Sequence, residues 1–254
     1  LAYSDLQAYN GDPLFSDIPV ERLLSKSYAA GLCDRIDMDA ASEPSIKGGL
    51  NGGTIYLTTA DRWGNMVSLI HSIFSVYGSG VTIPPYGMML HNRGVAFSLD
   101  EDHPNIVAPR KRPFHSIIAG FVMQDGEPLM TFGNMGGSVQ PETHAQHMVN
   151  VIDHGMNVQM TTDAARFTHS QNSNVLSLED NLYSLVGRSL EAKGHDVRSV
   201  NGGRVGGYQG ILFTKDPSLP EPVYSQQSMD TDAPVNGVYR GGSDHRKDGA
   251  AVGW

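Results

Sequence analysis

The chain has 254 residues, a formal net charge of −9 at pH 7 and a single cysteine, Cys33. Hydrophobic residues make up 39% and charged residues 18%, which excludes intrinsic disorder and a coiled coil. No apolar run approaches the roughly 18–20 residues of a membrane span, and an acidic chain without a basic cluster argues against nucleic-acid binding. A lone cysteine permits no internal disulfide; its apolar, helix-like surroundings predict a buried structural thiol.

The predicted elements begin with an amphipathic helix over residues 19–36, with proline near its start and an acidic residue in its first turn. A polar stretch rich in Gly and Ser follows at 39–53 and predicts an exposed, cleavable linker. Residues 54–60 and 66–74 then predict two strands around a polar turn.

The second half of the chain alternates strands with helices. Residues 117–123 and 128–132 predict a hairpin around Asp125-Gly126. The remaining predicted elements are helices at 141–154, ended by Gly155, at 158–167 and at 182–193, stopped by Gly194, and strands at 208–213 and 223–226. Stacked antiparallel sheets with helices outside would fit this order.

One dipeptide in this order carries a specific chemical prediction. Gly52 and Gly53 precede Thr54 at the start of the first predicted strand. Threonine is a poor nucleophile, but cleavage of the peptide bond before it frees an α-amine that can take the hydroxyl proton. Such an amine titrates at about pH 7.7–8.0 in model peptides, so it can act as a base near neutral pH. Taken alone, Gly-Gly before a strand more often marks a turn.

A series of short motifs from Thr54 onward supports the prediction that Thr54 is a nucleophile. They are Asp61, Gly64-Asn65, Tyr77-Gly78-Ser79-Gly80, Leu90-His91-Asn92, Lys111-Arg112-Pro113, Gly133-Asn134-Met135-Gly136-Gly137-Ser138, Asp153-His154-Gly155-Met156-Asn157, Ala164-Ala165-Arg166-Phe167 and Gly242-Ser243-Asp244-His245-Arg246-Lys247-Asp248-Gly249-Ala250-Ala251. With these motifs in this order, residues 54–254 resemble the small catalytic subunit of gamma-glutamyltransferases. These are N-terminal-nucleophile hydrolases whose single precursor cuts itself before a threonine. Residues 17–25 resemble the end of the family's large subunit.

The resemblance implies an α+β fold, a four-layer αββα sandwich. It also implies two parts: residues 1–53 as the C-terminal tail of the large subunit with its cleavable linker, and residues 54–254 as the catalytic small subunit. The chain would then be a C-terminal portion of the precursor, and its partner would be the remainder of the large subunit. The family uses no cofactor and no catalytic metal. The compartment stays open between cytoplasm, periplasm and secretion.

The resemblance assigns the catalytic roles residue by residue. The cleavage site is Gly53-Thr54, and Thr54 is the nucleophile that carries the acyl group. Ser72 aligns with a family threonine that hydrogen-bonds the nucleophile. Gly136 and Gly137 match the family's oxyanion glycines, because glycine lets backbone N–H groups approach a developing negative charge. Without the resemblance, Gly136-Gly137 would indicate a bend and Ser72 a polar strand residue.

The positions that depart from the family pattern concern the substrate's α-amino and carboxylate groups. Phe74 stands where the transferases carry an asparagine, and Arg93 and Ala96 stand where they carry a glutamine and an aspartate. An ammonium group there would meet a cation, which costs a few kcal/mol at about 4 Å and intermediate dielectric. His115 replaces the first residue of the family's carboxylate-binding serine pair, and Ser116 keeps the second.

These departures resemble the cephalosporin-acylase-like, or gamma-glutamyltransferase-like, branch. They predict a glutaryl-type amide rather than a free γ-glutamyl amine as the preferred acyl donor. Hydrolysis is favoured over transfer because no residue in the sequence identifies a site for an acceptor amine. For Arg93 a surface ion pair, and for His115 a structural hydrogen bond, remain as alternatives.

Two other classes of function stay open at this stage. His144 and His147, with Glu142 one turn away and His154 two turns on, could place metal ligands on one helix face, as in a metallohydrolase. Alternatively, the chain is an unprocessed precursor or an inactive homologue that acts as a binding module. A metal assay on purified protein would test the first, and a new N-terminus at Thr54 would separate an active enzyme from the second.

Overall fold

The computed structural model of the chain describes residues 1–42, 53–216, 218 and 235–253. These residues form two units, each assembled from separate stretches of chain. The first unit comprises the described residues among 1–52, 73–116 and 167–201. The second comprises those among 53–72, 117–166 and 202–254.

The described helices and strands follow in chain order. They are α1 (Ala2–Tyr9), α2 (Val20–Leu23), α3 (Lys26–Cys33), β1 (Gly53–Ala60), β2 (Met66–Phe74), β3 (Thr82–Ile83), β4 (Met88–Met89), β5 (Gly120–Gln124), β6 (Glu127–Met135), α4 (Gln140–Ile152), α5 (Val158–Asp163), β7 (Phe167–Ser170), β8 (Val175–Glu179), α6 (Asp180–Leu182), α7 (Arg188–Ala192), β9 (Asp196–Val200), β10 (Gly207–Lys215) and β11 (Gly237–Ser243).

A four-stranded antiparallel sheet is the centre of the second unit. Its strand order is β11-β10-β6-β5, and Gly207 pairs with Met135 while Leu212 pairs with Met130. The predicted hairpin at residues 117–132 is confirmed, because β5 and β6 pair around the turn at Asp125-Gly126. The middle of β6, residues 130–134, is buried on both faces, so this strand lies between two other layers.

A two-stranded sheet of β1 and β2 covers one face of β6. The even-numbered side chains of β1 point towards it: the Tyr56 ring fills the space that a side chain at Gly133 would need. Two residues on, the Thr58 hydroxyl hydrogen-bonds the Thr131 hydroxyl. Because strand side chains alternate between faces, the odd-numbered residues of β1 point away from β6.

Helices α4 and α5 cover the other face of the four-stranded sheet. Met130 and Phe132 of β6 pack with Val158 and Tyr208, and Met148 of α4 lies against this cluster. The prediction of α4 is confirmed within one or two residues at each end. The buried positions of α4 fall at i, i+3, i+4 and i+7, the stripe expected for a helix lying on a sheet; they are Gln140, Thr143, His144 and His147.

Three layers are therefore present in the described part of the second unit: a two-stranded sheet, a four-stranded sheet and a helix layer. The outer face of the β1–β2 sheet is apolar and exposed, with Ile55 62% and Leu57 50% accessible and Val67 and Leu69 similar. The predicted combination of helices and sheets is present. A fourth layer over this face is not seen among the residues that the structure describes.

The first unit contains the remaining helices and a three-stranded sheet of order β7-β8-β9. Strands β8 and β9 run parallel, joined by a helical segment in which a π-helical turn, Tyr183–Gly187, links α6 to α7. The ion pair between Asp12 and Arg112 ties the N-terminal residues to the chain before Ser116. The Arg112 side chain holds the pKa of the Asp12 carboxyl well below its usual range.

The helix predicted over residues 19–36 is wrong as a single element. Pro19 is the N-cap of α2, and a second helix starts only after Ser25, whose hydroxyl accepts from the Tyr28 amide as an N-cap. Serine at this position satisfies an otherwise unpaired helix N–H, so the chain begins a new helix instead of extending the first. Cys33 at the end of α3 is exposed rather than buried, because α3 buries no residue in the described part of the chain.

Other differences concern the second half. The helix predicted over 158–167 ends at Asp163, and Phe167 starts β7 instead. The helix predicted over 182–193 matches the segment from α6 to α7. The strand predicted at 223–226 and the linker residues 43–52 lie outside the described residues.

Among the described helices, none is long and apolar enough to cross a membrane.

Candidate active site

Thr54, near the start of β1, forms a short hydrogen-bond chain with its neighbours. Its Oγ1 donates to Ser72 Oγ at 3.1 Å, and Ser72 Oγ donates to the Gly53 carbonyl oxygen at 2.9 Å. Ser72 lies near the end of β2, which runs beside β1. The hydroxyl predicted as nucleophile and the carbonyl of the bond predicted to be cut therefore share one hydroxyl partner.

The chain bends sharply where β6 meets α4. Gly136 has φ 142° and Gly137 has φ 66°, a region that residues with a side chain rarely enter. A Cβ at Gly136 would also lie 2.7 Å from Val139 Cγ2. A short 3-10 turn, Gly137–Val139, then leads into α4. Both glycines are therefore required by the backbone, and the bend lies just before the positive end of the α4 dipole.

The two histidines proposed as metal ligands are engaged in packing. His144 Nε2 accepts a hydrogen bond from the main-chain N–H of Asn134 at 3.0 Å, and burial lowers the pKa of His144 to about 4. The His147 ring lies 3.8 Å from the Tyr208 ring, and burial, with the nearby charge of Arg166, lowers its pKa well below its ordinary value. Within the described residues, no group of three or more His, Cys, Asp or Glu side chains could hold a metal ion.

Arg93 is the centre of the residues predicted to select the substrate. It is 1% exposed, its guanidinium carbon lies 4.9 Å from the centre of the Phe74 ring, and its Nη1 donates to Ser116 Oγ at 3.4 Å. Burial lowers its pKa from a value so high that the group stays charged. Phe74 has φ 74°, a conformation rare for a bulky residue and often stored at functional sites.

His115 and Ala96 flank this cluster differently. His115 is exposed, and its Nδ1 lies 2.6 Å from the Pro113 carbonyl. Partial desolvation and the charges of Arg93, His91 and Arg112 lower its pKa, which favours a neutral ring. The Ala96 carbonyl accepts from Asn105 Nδ2 at 2.6 Å, and Ala96 borders a cavity of about 300 Å³ in the first unit.

The predicted site residues therefore form two groups, one in each unit. Thr54, Ser72, Gly136 and Gly137 belong to the second unit; Phe74, Arg93, His115 and Ser116 belong to the first. Hydrogen bonds join Thr54 to Ser72, and direct contacts join Arg93 to Phe74 and Ser116. The surface ion pair considered for Arg93 does not fit a side chain that is 1% exposed. The structural hydrogen bond considered for His115 is present, between its Nδ1 and the Pro113 carbonyl.

Three buried residues have no role that the sequence predicted. Asn134, Arg166 and Asp244 lie within three of the motifs given above, and the structure brings them together in a buried cluster. The sequence could have indicated them, because each lies in one of the motifs that carry the family resemblance, although none of them has an evident catalytic role.

Comparison with known proteins places these features in a family. The family model described as Gamma-glutamyltranspeptidase matches residues 1–254. The chain is 34% identical over 256 residues to the glutathione hydrolase-like YwrD proenzyme of Bacillus subtilis, covering 99% of the chain and 45% of that relative. It is 32% identical over 258 residues to the oxamate amidohydrolase proenzyme of Klebsiella pneumoniae, covering 100% of the chain and 45% of that relative. The chain thus spans about half the length of these relatives.

Solved structures agree. The cephalosporin acylase of Bacillus halodurans superimposes with a TM-score of 0.84 at 36% identity, over 100% of this chain and 43% of that one. A gamma-glutamyltranspeptidase T380A mutant of Helicobacter pylori superimposes with a TM-score of 0.63 at 26% identity, over 76% of this chain and 99% of that one. With a family model matched along its whole length and relatives named as hydrolase and acylase proenzymes, the chain belongs to the gamma-glutamyltranspeptidase family of amide hydrolases and transpeptidases.

Proposed function

We propose that this chain is part of a precursor that cuts itself between Gly53 and Thr54, and that Thr54 then forms an acyl-enzyme with an amide substrate. The hydrogen bonds from Thr54 to Ser72 and from Ser72 to the Gly53 carbonyl carry this proposal. Donation to a carbonyl oxygen stabilises the charge that develops when its carbon is attacked. Ser72 is therefore suited to polarise the bond next to the nucleophile.

The cleavage reaction consumes only water. Thr54 Oγ1 attacks the Gly53 carbonyl carbon, the C–N bond to Thr54 breaks, and an ester replaces the amide. Water then hydrolyses the ester, which leaves a carboxylate on Gly53 and a free α-amine on Thr54. That amine can take the Thr54 hydroxyl proton when a substrate amide is attacked.

The Gly136–Gly137 bend is the proposed source of oxyanion donors for the substrate reaction. Tyr56 faces Gly133 and Thr58 faces Thr131. A step of two residues towards the start of β1 therefore corresponds to a step of two residues towards the end of β6. The next step of this register leads from Thr54 to Met135, the residue before the bend. This spacing supports a placement of the bend's N–H groups near the nucleophile.

For substrate choice we propose a glutaryl-type or related acyl amide with a carboxylate or neutral polar group away from the reacting carbonyl. The positive charge of Arg93, buried beneath Phe74, acts through its field, since its guanidinium has almost no exposed surface. The exposed His115 is the group available for contact, while the buried Ser116 hydroxyl accepts from Arg93. An ammonium group at this cluster would be repelled, whereas a carboxylate would be attracted.

The proposed cleavage between Gly53 and Thr54 would divide the chain into two parts. Residues 1–53 would belong to the large subunit and residues 54–254 to the small one. The activity is proposed for the whole protein, since the chain spans about half of its curated relatives. The exposed apolar face of the β1–β2 sheet would be covered by a fourth layer from the rest of the large subunit, which would complete the αββα sandwich.

The test uses the full-length protein, its intact mass and N-terminal sequencing. We expect a mature chain that starts at Thr54, and hydrolysis of glutaryl anilide in preference to γ-glutamyl anilide. A chain that stays whole and cuts neither anilide would instead support an inert precursor that binds without reacting. Addition of an amine acceptor such as glycylglycine should raise turnover only slightly if hydrolysis is the main reaction, whereas a large rise would assign a transferase.

A further inference from the structure

Three charged side chains form a buried cluster in the second unit. The side chains of Arg166 and Asp244 are 1% and 0% exposed, and that of Arg246 is 6% exposed. Buried charges are costly unless they are paired and hydrogen-bonded. Asp244 pairs with both arginines, and its Oδ2 also accepts from the Tyr208 amide at 2.9 Å. A cluster this deep therefore holds several chain segments in fixed relation.

Arg166 reaches the residues that precede the Gly136–Gly137 bend. Besides its ion pair with Asp244, its Nη1 donates to Asn134 Oδ1 at 3.3 Å and to the Val205 carbonyl at 3.1 Å. Asn134 in turn donates from Nδ2 to the Met135 carbonyl at 2.7 Å. The guanidinium therefore fixes both the side chain at the end of β6 and the chain that approaches β10.

The segment around Gly206 rests directly on the bend. A side chain at Gly206 would overlap Asn134 Nδ2 and the Met135 carbonyl, and a Cβ at Gly136 would lie 3.2 Å from Gly206 Cα. Gly206 also has φ 80°. The two segments approach this closely because residue 206 has no side chain, and Arg166 bonds the Asn134 side chain on one segment and the Val205 carbonyl on the other.

We propose that Arg166, with Asp244 as its counter-ion, is a positioning residue that sets the orientation of the Gly136 and Gly137 N–H groups. The inference rests on the proposed function, in which those groups stabilise the oxyanion. Oxyanion donors act only when they aim at the place where charge develops, so a small displacement of the bend should lower turnover more than substrate binding. Arg166 itself touches no substrate.

Arg246 provides a matched control within the same cluster. It shares Asp244 with Arg166, at 3.1 Å from Oδ1, and it also donates to the Thr162 and Ala164 carbonyls. These carbonyls belong to the end of α5 and the residues after it. Replacing Arg246 therefore disturbs the buried charge while Arg166 is still present as the donor to Asn134 and Val205.

The experiment compares Arg166→Lys with Arg246→Lys in the full-length protein, scored on the cleaved fraction. Lysine keeps the charge but loses the planar fork that bonds several acceptors at once. For Arg166→Lys we expect kcat to fall about tenfold, part of the roughly 10²–10³-fold that loss of an oxyanion donor costs, with KM within about twofold. Affinity for a glutaryl-chain boronic acid, whose boron becomes tetrahedral on Thr54, should fall in parallel with kcat. For Arg246→Lys we expect kcat within about twofold at a similar loss of thermal stability.

Equal falls in kcat for the two variants, or an Arg166→Lys enzyme with normal kcat and boronate affinity, would overturn the positioning role while the proposed function stands. A wild-type protein that neither cleaves before Thr54 nor hydrolyses amides would overturn the proposed function, and the inference with it. If Arg166→Lys does not fold, Asn134→Asp replaces it: it keeps the acceptor for Arg166 and loses the donor to Met135. We then expect the same fall in kcat, and an unchanged kcat would count against the inference.

Discussion

Regular strands hold Thr54 and Ser72, whereas irregular chain holds Arg93, His115 and Ser116. Thr54 lies on a strand whose neighbours are fixed by ladder hydrogen bonds and by the Tyr56 ring packed on Gly133. Arg93 lies in a short 3-10 turn, and His115 and Ser116 lie in a stretch without helix or strand. Of the departures from the family pattern, Arg93, Ala96 and His115 fall in the irregular chain, and Phe74 is the last residue of β2.

This difference has a physical reason. A nucleophile and its oxyanion donors must keep their geometry within a fraction of an ångström, which favours residues on rigid elements. A binding pocket can change its chemistry by single substitutions when its residues lie on turns and loops. We call Thr54, Ser72 and the bend that follows β6 the strand-held group, and the residues around Arg93 and His115 the loop-held group. We expect large effects on activity for changes in the strand-held group and smaller, substrate-dependent effects for changes in the loop-held group.

The largest effect is expected for Thr54→Ala. The variant has no hydroxyl to attack the Gly53 carbonyl, so we expect neither cleavage before residue 54 nor amide hydrolysis, by intact mass and anilide assay. Thr58→Ala is the matched control, because Thr58 lies on the same strand and face and bonds Thr131. It should be cleaved and active, and Thr54→Ser should retain cleavage. Maturation of Thr54→Ala would show that another residue is the nucleophile.

The next effect is expected for Gly136→Ala. The added methyl group would lie 2.7 Å from Val139 Cγ2 at φ 142°, so the bend must change shape. We expect kcat to fall about 10²–10³-fold, measured on the cleaved enzyme.

Gly126→Ala controls for the cost of positive φ alone. Gly126 has φ 84° in the turn between β5 and β6, and a Cβ there would meet open space. We expect a stability loss of about 1–2 kcal/mol with normal kcat. Similar kcat losses in both variants would mean that the Gly136 result reports folding rather than oxyanion binding.

A third effect concerns the pH dependence of stability near the bend. Burial depresses the folded-state pKa of His144 to about 4 and holds that of His147 well below its ordinary value, while an unfolded histidine titrates near 6.5. Above about pH 6.5 both states are neutral and nothing changes. As pH falls below 6.5 the unfolded state binds protons that the folded state does not, so stability is lost by about 1.4 kcal/mol per pH unit for each ring.

For His144 the loss reaches about 3 kcal/mol by pH 4. Hydrogen exchange of the β6 and α4 amides at pH 7 and pH 5 measures it. In His144→Gln the amide oxygen can still accept from Asn134, and the slope should become shallower. A slope identical to that of the wild type would show that His144 is accessible to protons in the folded state.

The elements that sequence patterns predicted best are those whose partners are close in the chain. The hairpin of β5 and β6 has its turn residues between its two strands. The helix α4 has its buried stripe and the glycine that ends it within one short stretch of sequence. The sheet of β7, β8 and β9 was missed, since its parallel pairing joins segments across an intervening helical stretch. Phe167 was placed in a helix because nothing local indicates that Leu178 pairs with it.

The same reasoning applies to the site. Thr54 could be found because the chemistry of a freed α-amine is local to one residue. The burial of Arg93 under Phe74 could not, because it depends on the fold of residues 73–116 and on a backbone conformation that a phenylalanine rarely adopts. The link from Arg166 through Asn134 to the bend joins residues 32 positions apart, and only packing reveals it.

The smallest expected effect tests the loop-held group through its specificity. Arg93→Gln removes the cation, and Ala96→Asp adds the carboxylate that an ammonium group needs. In the double variant we expect the kcat/KM ratio of γ-glutamyl anilide to glutaryl anilide to rise about tenfold, or about 1.4 kcal/mol. The gain stays below the few kcal/mol of the bare charge interaction because Asn105 already holds the Ala96 carbonyl, so the new side chain cannot choose its position freely.

Arg93→Gln alone separates the two contributions. It should lower activity on the glutaryl anilide, because it removes the attraction for a carboxylate, and raise activity on the γ-glutamyl anilide less than the double variant does, because it removes the repulsion of the ammonium group without supplying an acidic partner. Cleavage before Thr54 should be normal in both variants, because Arg93 and Ala96 lie outside the strand-held group. An unchanged ratio in the double variant would remove Arg93 from the account of specificity, and a failure to mature would show that the two groups depend on each other.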